Sequence, residues 1–342
     1  MRKFVLFFMF LFLCFPCKTH GYEFKQINTV FNALYTDYKD TFDPENLVLS
    51  LGADALNQFD GSFKLYSSST KAFLYKDKQL VQSFFLPSKN DPSLWKSLLI
   101  DIYESAFSLI NQQDVQGLED IFLSILMKHL DKFSRIEAQA ASSVEFDYTI
   151  KDNVLYIKLS KFDKGCSEKI RHVINQHSDV FGLVLDLRGN QGGLFSEAIN
   201  MADLFLDDSI ITYSIEKNRQ KRFYTSHTGD ILSGRSIVIL TDDYTASAAE
   251  IVVAALSEQS RATIIGTKTY GKGSIQQMHK IQQNTLYLTS GYFYSPSGNP
   301  INHQGIMPQI CTGINDSCIY PDKSDPEKDI TSAVRFIKNN LS

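Results

Sequence analysis

Several common routes to catalysis are missing from this sequence. Only five of its 342 residues are cysteine, and its one Cys-x-x-Cys pair, Cys14 and Cys17, lies in an apolar leader. No His-Glu-x-x-His occurs, so no metal site is expected, and no other cofactor. The glycine-rich stretch ending at Gly193 is not followed by Gly-Lys-Ser/Thr, which disfavours a phosphate loop. Net charge is −4, from 34 basic and 38 acidic residues. No Lys/Arg stripe forms, which argues against a nucleic-acid partner. The densest basic patch, Lys217, Arg219, Lys221 and Arg222, reads as a solvated loop. The leader's apolar run, Phe4 to Pro16, is thirteen residues long, short of the roughly 20 that a bilayer-spanning helix needs.

What is present points to export. Arg2 and Lys3 precede that short apolar run, and Thr19-His20-Gly21 supplies small residues at its exit. This pattern reads as a secretory signal peptide over residues 1–21, cleaved near Gly21. The expectation is a periplasmic or extracellular protein with no transmembrane segment once the signal is removed; an uncleaved anchor is the alternative. In such a compartment Cys311 and Cys318, separated by six turn-rich residues, suit a local disulfide. Cys166 is left over and reads as an inert small residue. With 43% hydrophobic and 21% charged residues, the chain has the composition of a globular protein of one large domain or two.

Residues 22–143 carry mostly helical periodicity. Phe24, Ile27, Val30, Phe31, Leu34 and Tyr38 form one apolar stripe. Further helices are expected near Asn46–Gln58, Leu94–Ile110 and Val115–Leu130, the second of these capped by Asp91-Pro92-Ser93. The aromatic stretch from Ser62 to Phe85 suits short strands. From residue 144 to 342 the texture changes. Strands near Val154–Leu159, Gly182–Leu187, Ser236–Leu240 and Ala262–Ile265 alternate with helices near Cys166–Gln176, Ser196–Phe205 and Ala246–Ser257. That alternation predicts an α/β core of βαβ units with mainly parallel pairing. A strand over Leu286–Phe293 and a helix over Asp329–Asn339 follow.

Three segments could carry chemistry. Ser247, in Thr245-Ala246-Ser247-Ala248-Ala249-Glu250, sits at a strand-to-helix junction, where unpaired N–H groups and the helix dipole would stabilise an oxyanion. Gly192 and Gly193 end a loop leaving the Gly182–Leu187 strand, and glycines there can aim backbone N–H groups at a ligand. Lys272, in Tyr270-Gly271-Lys272-Gly273-Ser274, follows a buried strand; burial would lower its proton affinity until it could act as a base. Gln276, four residues on, could hold the neutral amine. Taken singly, these segments also read as a helix cap, a tight turn and a loop lysine.

Together they are more specific. Asp186-Leu187-Arg188-x-Asn190-x-Gly192-Gly193, then Thr245-Ala246-Ser247-Ala248-Ala249-Glu250, Ser260-Arg261-Ala262-x-x-x-Gly266 and Tyr270-Gly271-Lys272-Gly273-Ser274-x-Gln276 closely resemble the C-terminal processing, or tail-specific, serine–lysine peptidases. Tyr294–Gly298 and Gln304–Pro308 resemble the family's closing segment, and Leu130–Ser134 the end of its helical region. The resemblance spans about 147–310 and implies a crotonase/ClpP-like ββα protease core after a mostly helical N-terminal domain. It further implies Ser247 as nucleophile, Lys272 as general base and Gln276 as the residue orienting that lysine. Backbone N–H groups of Ala248 and of Gly192 or Gly193 would form the oxyanion hole. Glu258 stands where some members have an aspartate, eleven residues after the serine, and is given a supporting role. Most members insert a PDZ domain between the helical region and the core; here twelve residues separate Ser134 from Asp147.

The implied function is an exported serine endopeptidase acting on protein or peptide substrates, with cleavage near C-termini implied by the family. Two other readings remain at this stage. One is a catalytically silent ligand-binding or scaffold protein on the same fold. The other is a Ser-His-Asp hydrolase using His227, His279 or His303.

Overall fold

The computed structural model describes residues 24–89, 91–110, 115–138, 146–217, 219–322, 325 and 327–341; the leader that carries the signal-peptide expectation lies outside them. In chain order the first elements are α1 (Lys25–Thr36), α2 (Pro44–Asn46), a π-helical turn (Leu47–Gly52), α3 (Ala53–Phe59), β1 (Phe63–Ser67), β2 (Lys71–Lys76) and β3 (Gln79–Phe85). Then come α4 (Pro92–Phe107), α5 (Val115–Met127), β4 (Arg135–Ala138), β5 (Phe146–Lys151), β6 (Val154–Leu159), α6 (Cys166–Gln176), β7 (Gly182–Asp186) and α7 (Phe195–Asp203). The rest are β8 (Ile210–Glu216), β9 (Lys221–Thr225), β10 (Ser236–Thr241), α8 (Ala248–Glu258), β11 (Thr263–Gly266), β12 (Ser274–Ile281), β13 (Asn284–Tyr294), β14 (Ile310–Cys311) and α9 (Glu327–Asn339).

The core is a six-stranded sheet in the order β14-β11-β10-β7-β6-β5. Its strands from β6 to β14 pair in parallel, and β5 closes the edge antiparallel to β6. Side chains alternate across a strand, and here both faces are buried. Leu183, Leu185, Ile237 and Ile239 pack with α6, α7 and α8 on one face. Val184, Val238 and Leu240 meet Ala333, Val334 and Ile337 of α9 on the other. This double covering explains the continuous apolar runs in the sequence. The α/β class anticipated from the alternation of elements is the class observed.

The N-terminal region is mostly helical and carries short strands over the aromatic stretch from Ser62 to Phe85. β1, β2 and β3 form an antiparallel three-stranded sheet within it, and β4 leaves it to pair with β13. β13 is the centre of a second sheet, ordered β12-β13-β8-β9. Ile281, Leu286 and Leu288 of β12 and β13 are fully or almost fully buried in the same apolar cluster as Phe31, Trp95 and Phe122. The division expected near residue 143 is therefore not a boundary between cores, because the later hairpin completes the earlier core.

Three adjacent parallel strands position the site. β7, β10 and β11 all end on the same side of the sheet, and the loops leaving their C-terminal ends carry Gly192-Gly193, Ser247 and Lys272 respectively. In α/β sheets, ligands bind where such loops meet.

Candidate active site

Ser247 is the residue immediately before α8 and holds φ 58°, ψ −120°. This is a sparsely populated conformation for a non-glycine residue, costing on the order of 1–3 kcal/mol unless its surroundings enforce it. The surroundings do enforce it. Its N–H donates to Glu250 Oε2 at 2.9 Å. The preceding Thr245 Oγ1 donates to the Leu187 carbonyl at 2.9 Å, and Ala246 N–H donates to the Asn190 carbonyl at 2.9 Å. Asp242 Oδ1 accepts from the N–H groups of Gly189 and Thr245, each at 3.0 Å. The serine turn and the glycine loop are thus laced together.

Within that lacing the two glycines have different parts. Gly192 N–H donates to Asn190 Oδ1 at 2.8 Å, so of the two glycines expected as alternative oxyanion donors this one is already committed. What Gly192 provides is room: a Cβ there would lie 2.8 Å from Ser247 Cβ and 3.0 Å from Ala248 N. Gly193 holds φ 147° and its missing Cβ would meet the Phe162 carbonyl oxygen at 2.3 Å. The N–H groups of Gly193 and Ala248 make no hydrogen bond to the described residues, and both residues line the cleft beside Ser247. Ala248 is the first residue of α8, where N–H groups lack helical partners.

Lys272 lies between two glycines on the loop from β11 to β12 and lines the same cleft. Its backbone N–H donates to Glu250 Oε2 at 2.8 Å. Its Nζ sits 5.6 Å from the centre of the Phe133 ring and has no hydrogen-bond partner among the described residues. Burial, then the positive charge of Arg135, lower its pKa; Glu137 and Glu250 oppose the shift. A lysine depressed in this way is easier to deprotonate near neutrality.

Gln276 does not hold this amine here. Its Oε1 accepts from Arg135 Nη1 at 2.7 Å, and its Nε2 donates to the Phe133 carbonyl. Arg135 reaches it from β4 across the face of Tyr287, 4.3 Å from the ring centre. Asp131 anchors this intruding segment by accepting from Phe133 N–H at 3.0 Å, Ser134 Oγ at 2.7 Å and Thr289 Oγ1 at 2.9 Å. The N-terminal region thereby supplies Phe133 and Arg135 to the active cleft, a contribution the resemblance does not indicate. The connection from β4 to β5, residues 139–145, lies outside the described residues.

The cleft itself holds about 720 Å³. Leu194, Phe195, Tyr224, Ile251 and Phe293 are among the apolar and aromatic residues that line it, with Phe195 stacked on Phe293 at 4.7 Å. No histidine lines it. His227 pairs with Asp203 and His279 with Asp37, while His303 packs near Phe133. This removes the basis for a Ser-His-Asp arrangement. Glu258 is also elsewhere: its Oε2 accepts from Ser297 N–H at 2.8 Å and steadies that turn. Cys166 is buried, and burial, then the nearby Glu197 carboxylate, push its thiol up to about 12. Cys311 and Cys318 are disulfide-bonded, with Cα atoms 4.7 Å apart. Among the described residues no group of three or more His, Cys, Asp or Glu could hold a metal ion.

Two residues essential to this geometry carry no separate signal in the sequence. Asn190 is fully buried, and its Nδ2 donates to the Leu159 carbonyl at 2.8 Å while its Oδ1 and carbonyl hold Gly192 and Ala246. Glu250, also fully buried, joins the serine turn to the lysine loop. Both stand inside the recognised motifs, yet only the folded arrangement shows what they bind.

Residues 153–312 match the profile of peptidase family S41. The chain is 36% identical over 172 residues to a carboxy-terminal-processing protease of Bartonella bacilliformis, covering 48% of this chain and 39% of the relative. It is 35% identical over 159 residues to a carboxyl-terminal-processing protease of Synechocystis sp., covering 46% and 37%. A third relative, carboxyl-terminal-processing peptidase 3 (chloroplastic) of Arabidopsis thaliana, is 31% identical over 228 residues, covering 60% and 44%. The chain thus spans less than half the length of these curated relatives. A lipoprotein structure from Streptococcus agalactiae shares the fold over 89% of this chain and 99% of its own, with a TM-score of 0.53 at 16% identity.

Proposed function

We propose that this chain, whose residues 153–312 match the profile of peptidase family S41, is an exported serine endopeptidase acting on protein or peptide substrates. Neutral Lys272 takes the hydroxyl proton as Ser247 Oγ attacks the scissile carbonyl carbon. The carbonyl oxygen becomes an oxyanion, received by the N–H groups of Ala248 and Gly193; such donors are each worth about 3–4 kcal/mol in the transition state. Collapse breaks the C–N bond, and the lysine ammonium returns its proton to the leaving amine. Water, deprotonated by the same lysine, then hydrolyses the acyl-enzyme and frees Ser247. Gln276 enters this scheme as support for the Phe133–Arg135 segment beside the lysine.

The observation that carries this reading is the convergence, at one cleft, of a strained serine, two N–H groups unpaired among the described residues and a half-buried lysine. Labelling of the protein by a fluorophosphonate probe and cleavage of an unstructured protein tail test it. Both should be lost in Ser247→Ala, and Lys272→Ala should lower turnover by about 100-fold or more. Retained cleavage in Ser247→Ala would sink the mechanism. Absence of both activities in the native protein would favour the silent scaffold reading.

We also propose that residues 1–21 direct export and are removed. Among the described residues no helix is long and apolar enough to cross a membrane. N-terminal sequencing of the mature protein should begin near residue 22; an intact Met1 in the exported fraction would refute cleavage.

A further inference from the structure

Glu250 is the third residue of α8, fully buried, and its two carboxylate oxygens accept from four donors. Oε1 takes Thr269 Oγ1 at 2.6 Å and Gly271 N–H at 2.7 Å. Oε2 takes Lys272 N–H at 2.8 Å and Ser247 N–H at 2.9 Å. We propose that Glu250 is a positioning residue that clamps the nucleophile turn to the lysine loop and so sets where Ser247 and Lys272 stand relative to each other. This rests on the serine–lysine reading given above.

A plain helix cap does not account for the arrangement. An acid at the third position of a helix caps by accepting from the N-cap N–H, and only the Ser247 bond does that. The other three donors come from residues 269–272, on the loop leaving a different strand. Nor is Glu250 a base acting on substrate. Ser247, Ala248 and Ile251 line the cleft, whereas Glu250 does not and is fully buried.

The chemistry of the donors also fixes its charge. An ionised carboxylate only accepts hydrogen bonds, whereas a protonated one must donate from one oxygen. Three of the four partners are backbone N–H groups, which can only donate, so the site favours the anion. Burial pushes the pKa of Glu250 up, and hydrogen bonds from Thr269, Lys272, Gly271 and Ser247 counter that rise. The charge has a second consequence, because the charged groups facing Lys272 are Arg135 and Glu137 from β4 and Glu250 from α8. Of these, the carboxylates favour the lysine's protonated form.

Glu250→Gln in the full chain tests the proposal, since it keeps the shape, removes the charge and turns an NH₂ toward two N–H groups. The expected result is a fall in kcat of about 100-fold, as for small displacements of reacting groups, with KM changed by less than about twofold. The rising limb of the kcat–pH profile should move to lower pH, and so should the ¹³C NMR titration of Lys272, because a neutral neighbour no longer favours the ammonium. Glu250→Asp keeps the charge but shortens the reach; it should lower kcat and leave the limb in place. A merely structural acid would not move the lysine titration. Native kcat in Glu250→Gln, or an unmoved Lys272 titration, would overturn the clamp. The NMR measurement needs no turnover, so it separates failure of the clamp from failure of the peptidase reading. If Glu250→Gln does not fold, Thr269→Val removes one donor: a smaller kcat loss at constant KM supports the proposal, and native kcat overturns it.

Discussion

Gly192 and Ser247 are packed so closely that the one excludes a side chain for the sake of the other. A methyl group on Gly192 would stand 2.8 Å from Ser247 Cβ and 2.9 Å from the Ala246 carbonyl oxygen. Both neighbours belong to a turn already held at a strained φ, so neither can easily retreat.

Gly192→Ala should therefore inactivate by displacing the nucleophile rather than by removing an oxyanion donor. At φ 101° the alanine also carries strain on the order of 1–3 kcal/mol. The expected outcome is loss of fluorophosphonate labelling by at least about tenfold, with a measurable fall in Tm. Labelling at the native rate would show that the turn relaxes at little cost.

Arg135 and Lys272 make a pH prediction with a definite sign. The guanidinium favours the neutral amine, so Arg135→Met should raise the lysine's pKa. The proposed mechanism needs that amine deprotonated, so the rising limb of kcat/KM should move to higher pH. This is opposite to the direction expected for Glu250→Gln. The same substitution frees Gln276 Oε1 from its present partner. A limb that stays in place in Arg135→Met would mean that the charge of β4 does not reach the lysine.

Cys166 should be inert despite being free. Its thiol is buried and raised to about 12, and the reactive species is the thiolate. In the folded protein at pH 8, iodoacetamide should leave it unmodified, while in denaturant it should react at the rate of an ordinary thiol. Rapid labelling of the folded state would show that the pocket around Glu197 opens.

Leu288 reports on whether the N-terminal region and the second sheet fold together. It is fully buried in the cluster built mainly from α1 to α5. Leu288→Ala should cost about 2–5 kcal/mol, and calorimetry should show one transition moving down as a unit. Two separated transitions, with only the later one shifted, would contradict a shared core.

The parts of the fold most legible in the sequence were those with strong periodicity. The helical stripe from Phe24 to Tyr38 appears as α1, and the buried runs at 182–187 and 236–240 appear as β7 and β10. The strands not anticipated were β4, β5, β8, β9, β12 and β14, most of which are short or mix polar with apolar residues. The pairing of β4 and β8 with β13 depends on a partner far along the chain. The disulfide pair was legible because its two cysteines are near neighbours.

The amino-acid sequence by itself determined which groups could react: a serine at a helix start, a lysine between glycines and a glycine pair at the end of a buried strand. Those are local properties, set by residue type and by order along the chain. The tertiary structure decided which of them are placed to act. It committed the Gly192 N–H to Asn190, leaving those of Gly193 and Ala248 without a partner among the described residues. It turned Gln276 from the lysine to Arg135, and it joined Ser247 to Lys272 through Glu250. Hydrogen-bond commitments and burial are made between segments that meet only when three parallel strands bring their ends together, and residue order alone does not encode them.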